Sequence, residues 1–144
     1  MSDNKQKVKK MLAAWKDGQG QALMELLSED IEWTIVGKSL VAGTTRGKTE
    51  LREKVLAPFG ARFAQSSERF RPVTVHGIYQ EGDTVVAYFD GRGTANDGKP
   101  YLNSYAWFLT FKQGLVVRAT AFFDSIAFND LWQRVTAFMI ANGR

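Results

Sequence analysis

The sequence predicts an α+β fold, with helices packed against one face of a curved antiparallel sheet. Three observations carry this expectation. The front of the chain is helical in period, everything from Phe70 onward is strand-like with tight turns, and an amphipathic segment closes the chain. Within 144 residues this is the size of one domain, 1–144, with no linker, repeat or low-complexity stretch.

The elements follow in order. Val8, Met11, Leu12 and Trp15 recur at helical spacing with lysines on the other faces, and Asp17-Gly18-Gln19-Gly20 stops that helix. Ala22, Leu23, Leu26 and Leu27 form a second, shorter amphipathic helix. The run Ile31 to Val36 alternates with period two, which places Ile31, Trp33 and Ile35 on one face of a strand. Residues 37–47 read as a Gly-bearing loop with room for a short strand. Leu51, Val55 and Leu56 mark a helix that Pro58 ends or kinks. Strands then run from Pro72 to Tyr79, Thr84 to Thr94, Tyr101 to Phe111 and Leu115 to Phe123. The turns between them are Glu81-Gly82-Asp83, Asn96-Asp97-Gly98 and Gln113-Gly114. Asp124-Ser125 offers an N-cap for a last helix carrying Phe128, Leu131, Trp132, Val135, Phe138 and Met139, with Asn142-Gly143 as its stop.

Composition removes several kinds of chemistry. With no Cys there are no disulfides, thiolate nucleophiles or Cys-ligated metals, and one His excludes a multi-His metal site within the chain. No metal or cofactor is expected. The net charge of +4 comes from the first half, largely from Lys5, Lys7, Lys9, Lys10 and Lys16. Without an RNA-binding signature or zinc finger, this stripe reads as a solvated helix face, so no nucleic-acid partner is expected. No apolar run approaches a membrane span, and MSDNKQKVKK has no apolar leader stretch. The expectation is a cytoplasmic protein without membrane contact.

The sheet faces hold the candidate site. One face of the third of these strands gathers Tyr101, Asn103, Tyr105, Trp107, Leu109 and Phe111; on the strand before it, Val86, Tyr88 and Asp90 share a face. Small Ala119 and Ala121 opposite large aromatics leave room for a ligand. If Asp90 joins the aromatic face, its carboxyl is desolvated and its pKa raised, which suits acid–base work. Asn103 can orient a ligand carbonyl or bond a loop backbone. His76, mid-strand, and Asp124, before the last helix, are poorer candidates. Gly91-Arg92-Gly93 precedes a hairpin, not a helix, so it is no phosphate loop.

Three stretches carry a family likeness: LMELLSEDIEWTIVG, GTTRGKTELREKVLAPF and GRGTANDGKPYLNSYAWFLTFKQGLVVRATAFFDS. In order and spacing the chain resembles the nuclear transport factor 2-like superfamily and, within it, the SnoaL-like and ketosteroid isomerase-like group. The resemblance implies a conical α+β barrel around a deep apolar cavity. It also implies a homodimer paired through the outer sheet face, where Phe108 and Phe122 lie. Ketosteroid isomerase's catalytic positions fall on Met11, Ile35 and Trp107. Those of limonene epoxide hydrolase fall on Asp90, Tyr88, Ala121, Trp33 and Ile35, so only one acid is retained. Polyketide cyclases of the group use one cavity acid, a part open to Asp90. The Tyr101-x-Asn103-x-Tyr105 pattern resembles phenazine-biosynthesis members, whose acid falls at Ala121.

Two functions follow as expectations. One is an acid–base enzyme (isomerase, cyclase or hydrolase) acting on a small hydrophobic substrate. Asp90 is its catalytic group, and Trp33, Tyr88, Asn103, Tyr105, Trp107 and Phe123 are its ligand-binding residues. The other is a non-catalytic domain that holds a small hydrophobic molecule or a protein partner.

Overall fold

A computed structural model describes residues 3–135 of the chain. The predicted helical positions Phe138 and Met139, and the stop at Asn142-Gly143, lie outside the described residues. The N-terminal helices are α1, Asn4–Lys16, and α2, Ala22–Leu26. They lead into strand β1, Leu27–Ile35, and a short β2, Gly43–Arg46. A continuous helical stretch follows as α3, Lys48–Leu51, a π-helical turn, Arg52–Leu56, and α4, Ala57–Gly60. Then come β3, Arg71–Glu81, β4, Thr84–Thr94, β5, Pro100–Lys112, β6, Leu115–Phe123, and α5, Ser125–Arg134.

The six strands form one open sheet in the order β2-β1-β6-β5-β4-β3. It is antiparallel except where β1 lies parallel to β6, which makes it mixed. That pair is parallel because β1 enters the sheet from the N-terminal helices instead of a hairpin. The helical segments and α5 cover the concave face. Pro58 does not end its helix. It sits in the first turn of α4, where its missing N–H is least costly, and the π-helical turn before it absorbs the register change.

Alternation along β5 is as predicted. Tyr101, Asn103, Tyr105, Trp107, Leu109 and Phe111 are all buried, while Leu102 and Phe108 are exposed. On β4 the inward residues are Val85, Ala87 and Phe89, so Tyr88 and Asp90 point outward. This corrects the expectation that Asp90 and Tyr88 share the aromatic face. The reason is register. Period two gives each strand two sets of side chains but does not pair them across strands; the structure pairs Thr94 with Pro100, and hence Asp90 with Ser104 and Phe89 with Tyr105. A slip of one residue moves a whole strand's side chains to the other face. On β6 an irregularity between Thr110 and Phe111 of β5 turns Val116 into the core and leaves Leu115 exposed.

Gly91 and Gly93 lie on the inner face of β4 because aromatic rings occupy the space where side chains belong. A Cβ on Gly91 falls 2.3 Å from the Phe70 ring tip, and one on Gly93 falls 2.8 Å from both the Phe63 ring and the Phe70 backbone. The 61–70 segment can therefore lie flat against the sheet. It is pinned there by Ala64 N–H donating to Thr94 O (2.9 Å) and Thr94 N–H donating to Glu68 O (2.8 Å). No helix among the described residues is long and apolar enough to cross a membrane.

Candidate functional site

Between the concave sheet and the helices lies a cavity of about 660 Å³. Its walls are mainly aromatic. Trp33 of β1 meets Trp107 of β5 edge-on at 5.1 Å, and Trp15 at the end of α1 stacks on Trp107 at 6.0 Å. Phe59 stacks on Phe128 of α5 at 5.7 Å, and Phe123 meets Phe128 at 4.9 Å. Ala121 lies opposite Trp107 and supplies no bulk, which is why the space stays open. α5 is held over this side by Arg62. Its guanidinium donates to Pro58 O at 2.9 Å and to Trp132 O at 3.3 Å, and sits 3.6 Å above the Trp132 ring.

Polar groups are few. Gln65 and Asn96 line the cavity but spend their amides on main-chain carbonyls: Gln65 on Phe63 O (2.8 Å), Asn96 on Ala61 O (2.8 Å). Arg52 and Arg69 stand among the lining residues and are exposed. No Asp, Glu or His is among the described lining residues.

The other polar groups are the indole N–H groups of Trp15, Trp33 and Trp107 and the hydroxyl of Tyr105, whose hydrogen bonding can be traced back to a main-chain anchor. Ser104 N–H donates to Asn103 Oδ1 at 2.9 Å, which sets the amide's orientation. The Asn103 amide nitrogen then donates to Tyr101 Oη (2.7 Å) and to the Asp124 carbonyl (3.0 Å). Tyr101 and Tyr105 share a hydroxyl–hydroxyl bond of 2.8 Å. Tyr101 Oη already accepts from Asn103, and the ring is packed against Phe59, Phe63 and Phe70. Either phenol can donate in that bond; when Tyr101 does, the Tyr105 proton is left for an acceptor in the cavity. Burial pushes the Tyr101 phenol up to about 12 and Tyr105 well above its ordinary value. Tyr105 is thus a neutral donor and a poor base at physiological pH.

The predicted site residues divide accordingly. Trp33, Tyr105, Trp107 and Phe123 all line the cavity. Asn103 does not; it is buried behind Tyr105 and orients the phenols. Asp124 caps α5, accepting from Ile126 N–H at 3.0 Å. Asp90 and Tyr88 lie on the outer face. There Asp90 accepts from Ser104 Oγ at 2.7 Å and pairs with His76 Nε2 at 3.0 Å, while Tyr88 packs on the His76 ring at 4.5 Å. His76 gets there because β3 bulges between Val75 and Gly77. The Ser104 hydrogen bond, with the imidazole beside it, holds the Asp90 carboxyl below its usual value, the opposite of the expected rise. Phe59, Phe70 and Phe128 line the cavity unpredicted. Phe59 and Phe70 flank a stretch without period, so only their aromatic character pointed to them.

Residues 8–119 match the SnoaL-like domain. The chain belongs to that family. Among solved structures, an NTF2-like protein from Burkholderia thailandensis is 23% identical, covering 91% of this chain and 98% of its own, with a TM-score of 0.73. TerC, co-crystallised with polyporic acid, is 22% identical over 90% of this chain and 98% of its own, with a TM-score of 0.71. A ketosteroid isomerase-like fold from Catenulispora acidiphila, in complex with trimethylamine, is 19% identical over 80% and 82%, with a TM-score of 0.62. At these identities the likeness is one of fold. No curated protein matches the sequence.

Proposed function

We propose that this SnoaL-like protein holds a small hydrophobic molecule in the aromatic cavity, with an acceptor oxygen of that molecule (a carbonyl or enol) against the Tyr105 hydroxyl. The observation that carries this reading is the buried Asn103–Tyr101–Tyr105 relay, which ends on a cavity-lining residue and, with Tyr101 donating, frees the Tyr105 proton for an acceptor there. The relay is built of buried groups that cannot turn away, so it is preorganised to meet negative charge on an oxygen. The acid–base enzyme reading loses its base, since Asp90 faces the other way. What the cavity supports is binding and carbonyl polarisation. TerC, of the same fold, was co-crystallised with a small organic acid, which is consistent with an occupied cavity.

The test is direct binding. Trp15, Trp33 and Trp107 line the cavity, so their fluorescence reports occupancy by small aromatic carbonyl compounds, and native mass spectrometry reports molecules retained on purification. Ala121→Leu fills the cavity and weakens such binding by about tenfold or more, whereas Asp90→Asn leaves it unchanged. If Asp90→Asn removes binding and Ala121→Leu does not, the cavity is not the site.

The homodimer belongs to the same proposal. On the outer face Phe108 and Phe122 pack edge-on at 5.7 Å and remain 39% and 46% exposed, and Ala106 is in register with both Phe122 and the exposed Tyr88. Contiguous apolar surface of this kind is characteristic of an interface. Sedimentation at micromolar concentration is expected to give about twice the 16.1 kDa chain mass; a single-chain mass there removes the dimer.

A further inference from the structure

A second hollow adjoins the cavity and is walled by the same two stretches of chain. In the first, Trp15 and Gly20 line the cavity, while Lys16, Asp17 and Gly18 between them line a recess of about 310 Å³. In the second, Phe70 lines the cavity, Ser66, Ser67 and Arg71 line the recess, and Arg69 lines both.

The recess is basic. It holds Lys16, Arg69 and Arg71 against a single acid, Asp17. None of these four takes part in an ion pair among the described residues. Both guanidiniums are anchored by the main chain: Arg69 Nε donates to Ser66 O at 3.1 Å, and an Arg71 terminal nitrogen donates to Ser67 O. Each keeps further N–H donors for a ligand. The recess lies at the C-terminal end of α1, whose dipole carries a partial negative charge; the carbonyls of Ala13, Ala14 and Trp15 accept the N–H groups of Asp17, Gly18 and Gln19, and three full positive charges outweigh it. Three cations left without carboxylate partners, beside an apolar cavity, form an electrostatic arrangement that neither the fold nor the cavity requires.

We infer that the recess takes the anionic end of the molecule whose hydrophobic body lies in the cavity, so that the ligand is an amphiphilic organic anion bearing a carboxylate, sulfonate or phosphate group. This rests on the cavity-binding reading above. Arg69 is the link, since one guanidinium walls both spaces. Arginine and lysine together suit such a group: the guanidinium fork pairs with two oxygens, and the ammonium adds a mobile point charge.

A pair of fluorescent probes separates this inference from its premise. N-phenyl-1-naphthylamine and 8-anilinonaphthalene-1-sulfonate share a ring system and differ by the sulfonate. With the full-length protein at low salt, the sulfonate probe is expected to bind about tenfold more tightly, the worth of one charge-assisted hydrogen bond. Added salt narrows that gap. The double variant Lys16→Gln/Arg71→Gln touches only the recess and is expected to erase most of the gap, leaving the neutral probe within about twofold of the parent. Equal affinity of the two probes for the parent protein overturns the inference while the cavity reading stands. So does a gap that the double variant leaves intact. Failure of the neutral probe to bind at all sinks the cavity reading itself. Inorganic phosphate binding to the recess without any preference for the sulfonate probe identifies a free-anion site and also overturns the inference.

Discussion

Gly93→Ala is expected to destabilise the fold by about 3 kcal/mol or more, measured by denaturant unfolding, because the new methyl meets backbone. Its Cβ falls 2.8 Å from both Cα and N of Phe70, and equally close to the Phe63 ring. A flexible side chain can swing aside, but this segment is pinned to β4 by the Ala64 and Thr94 main-chain bonds. The strand and the 61–70 segment must separate, and they take Phe63 and Phe70 with them. The loss therefore extends to the cavity wall, since Phe70 packs on Tyr105 at 5.7 Å. Gly91→Ala meets the Phe70 ring tip instead and is expected to cost less, because a ring can pivot. A Gly93→Ala protein within about 0.5 kcal/mol of the parent refutes this account of the glycine.

Tyr105→Phe is expected to lower affinity for a carbonyl-bearing ligand by about tenfold while leaving a matched hydrocarbon unaffected. Ring volume is conserved, so packing against Phe89 (5.3 Å, stacked) is retained and only the donor is lost. The variant also removes the Tyr101–Tyr105 hydroxyl bond, at a stability cost of about 1 kcal/mol. The pH profile adds a second readout. Burial raises the Tyr105 phenol, so its proton stays bound through neutral and mildly alkaline pH, and carbonyl binding is flat across that range. A site run by a cavity carboxylate with a raised pKa instead changes as that acid titrates. Equal loss for the carbonyl ligand and the hydrocarbon indicates a packing defect and removes Tyr105 as the donor.

Much of this was legible before any coordinates. The β5 alternation placed Tyr105 and Trp107 inward, Trp33 followed from β1, and the small Ala121 opposite Trp107 announced unfilled space, whereas Ala119, between Leu109 and Trp33, does not line it. Asp90 was misplaced for a specific reason. Period two sorts residues into two sets but does not say which set of one strand meets which set of the next. The hairpin decides that, by pairing Thr94 with Pro100. A signal was available: Val85, Ala87 and Phe89 are uniformly apolar, whereas Val86, Tyr88 and Asp90 are not, and the more apolar set faces a core.

What the sequence by itself determined is local and periodic: the helices, the β5 faces, the turns and the absence of thiol and multi-histidine chemistry. It also carried the resemblance that residues 8–119 bear out. What only the tertiary structure decided is relational. The Asn103–Tyr101–Tyr105 relay depends on side chains two and four residues apart meeting across one face, and on a main-chain carbonyl from Asp124 arriving beside them. The exile of Asp90 to His76 depends on strand register and a bulge. The basic recess depends on the end of α1 lying against the 66–71 segment. In each case the deciding quantity is a contact that no local pattern sets, fixed by packing all the segments at once.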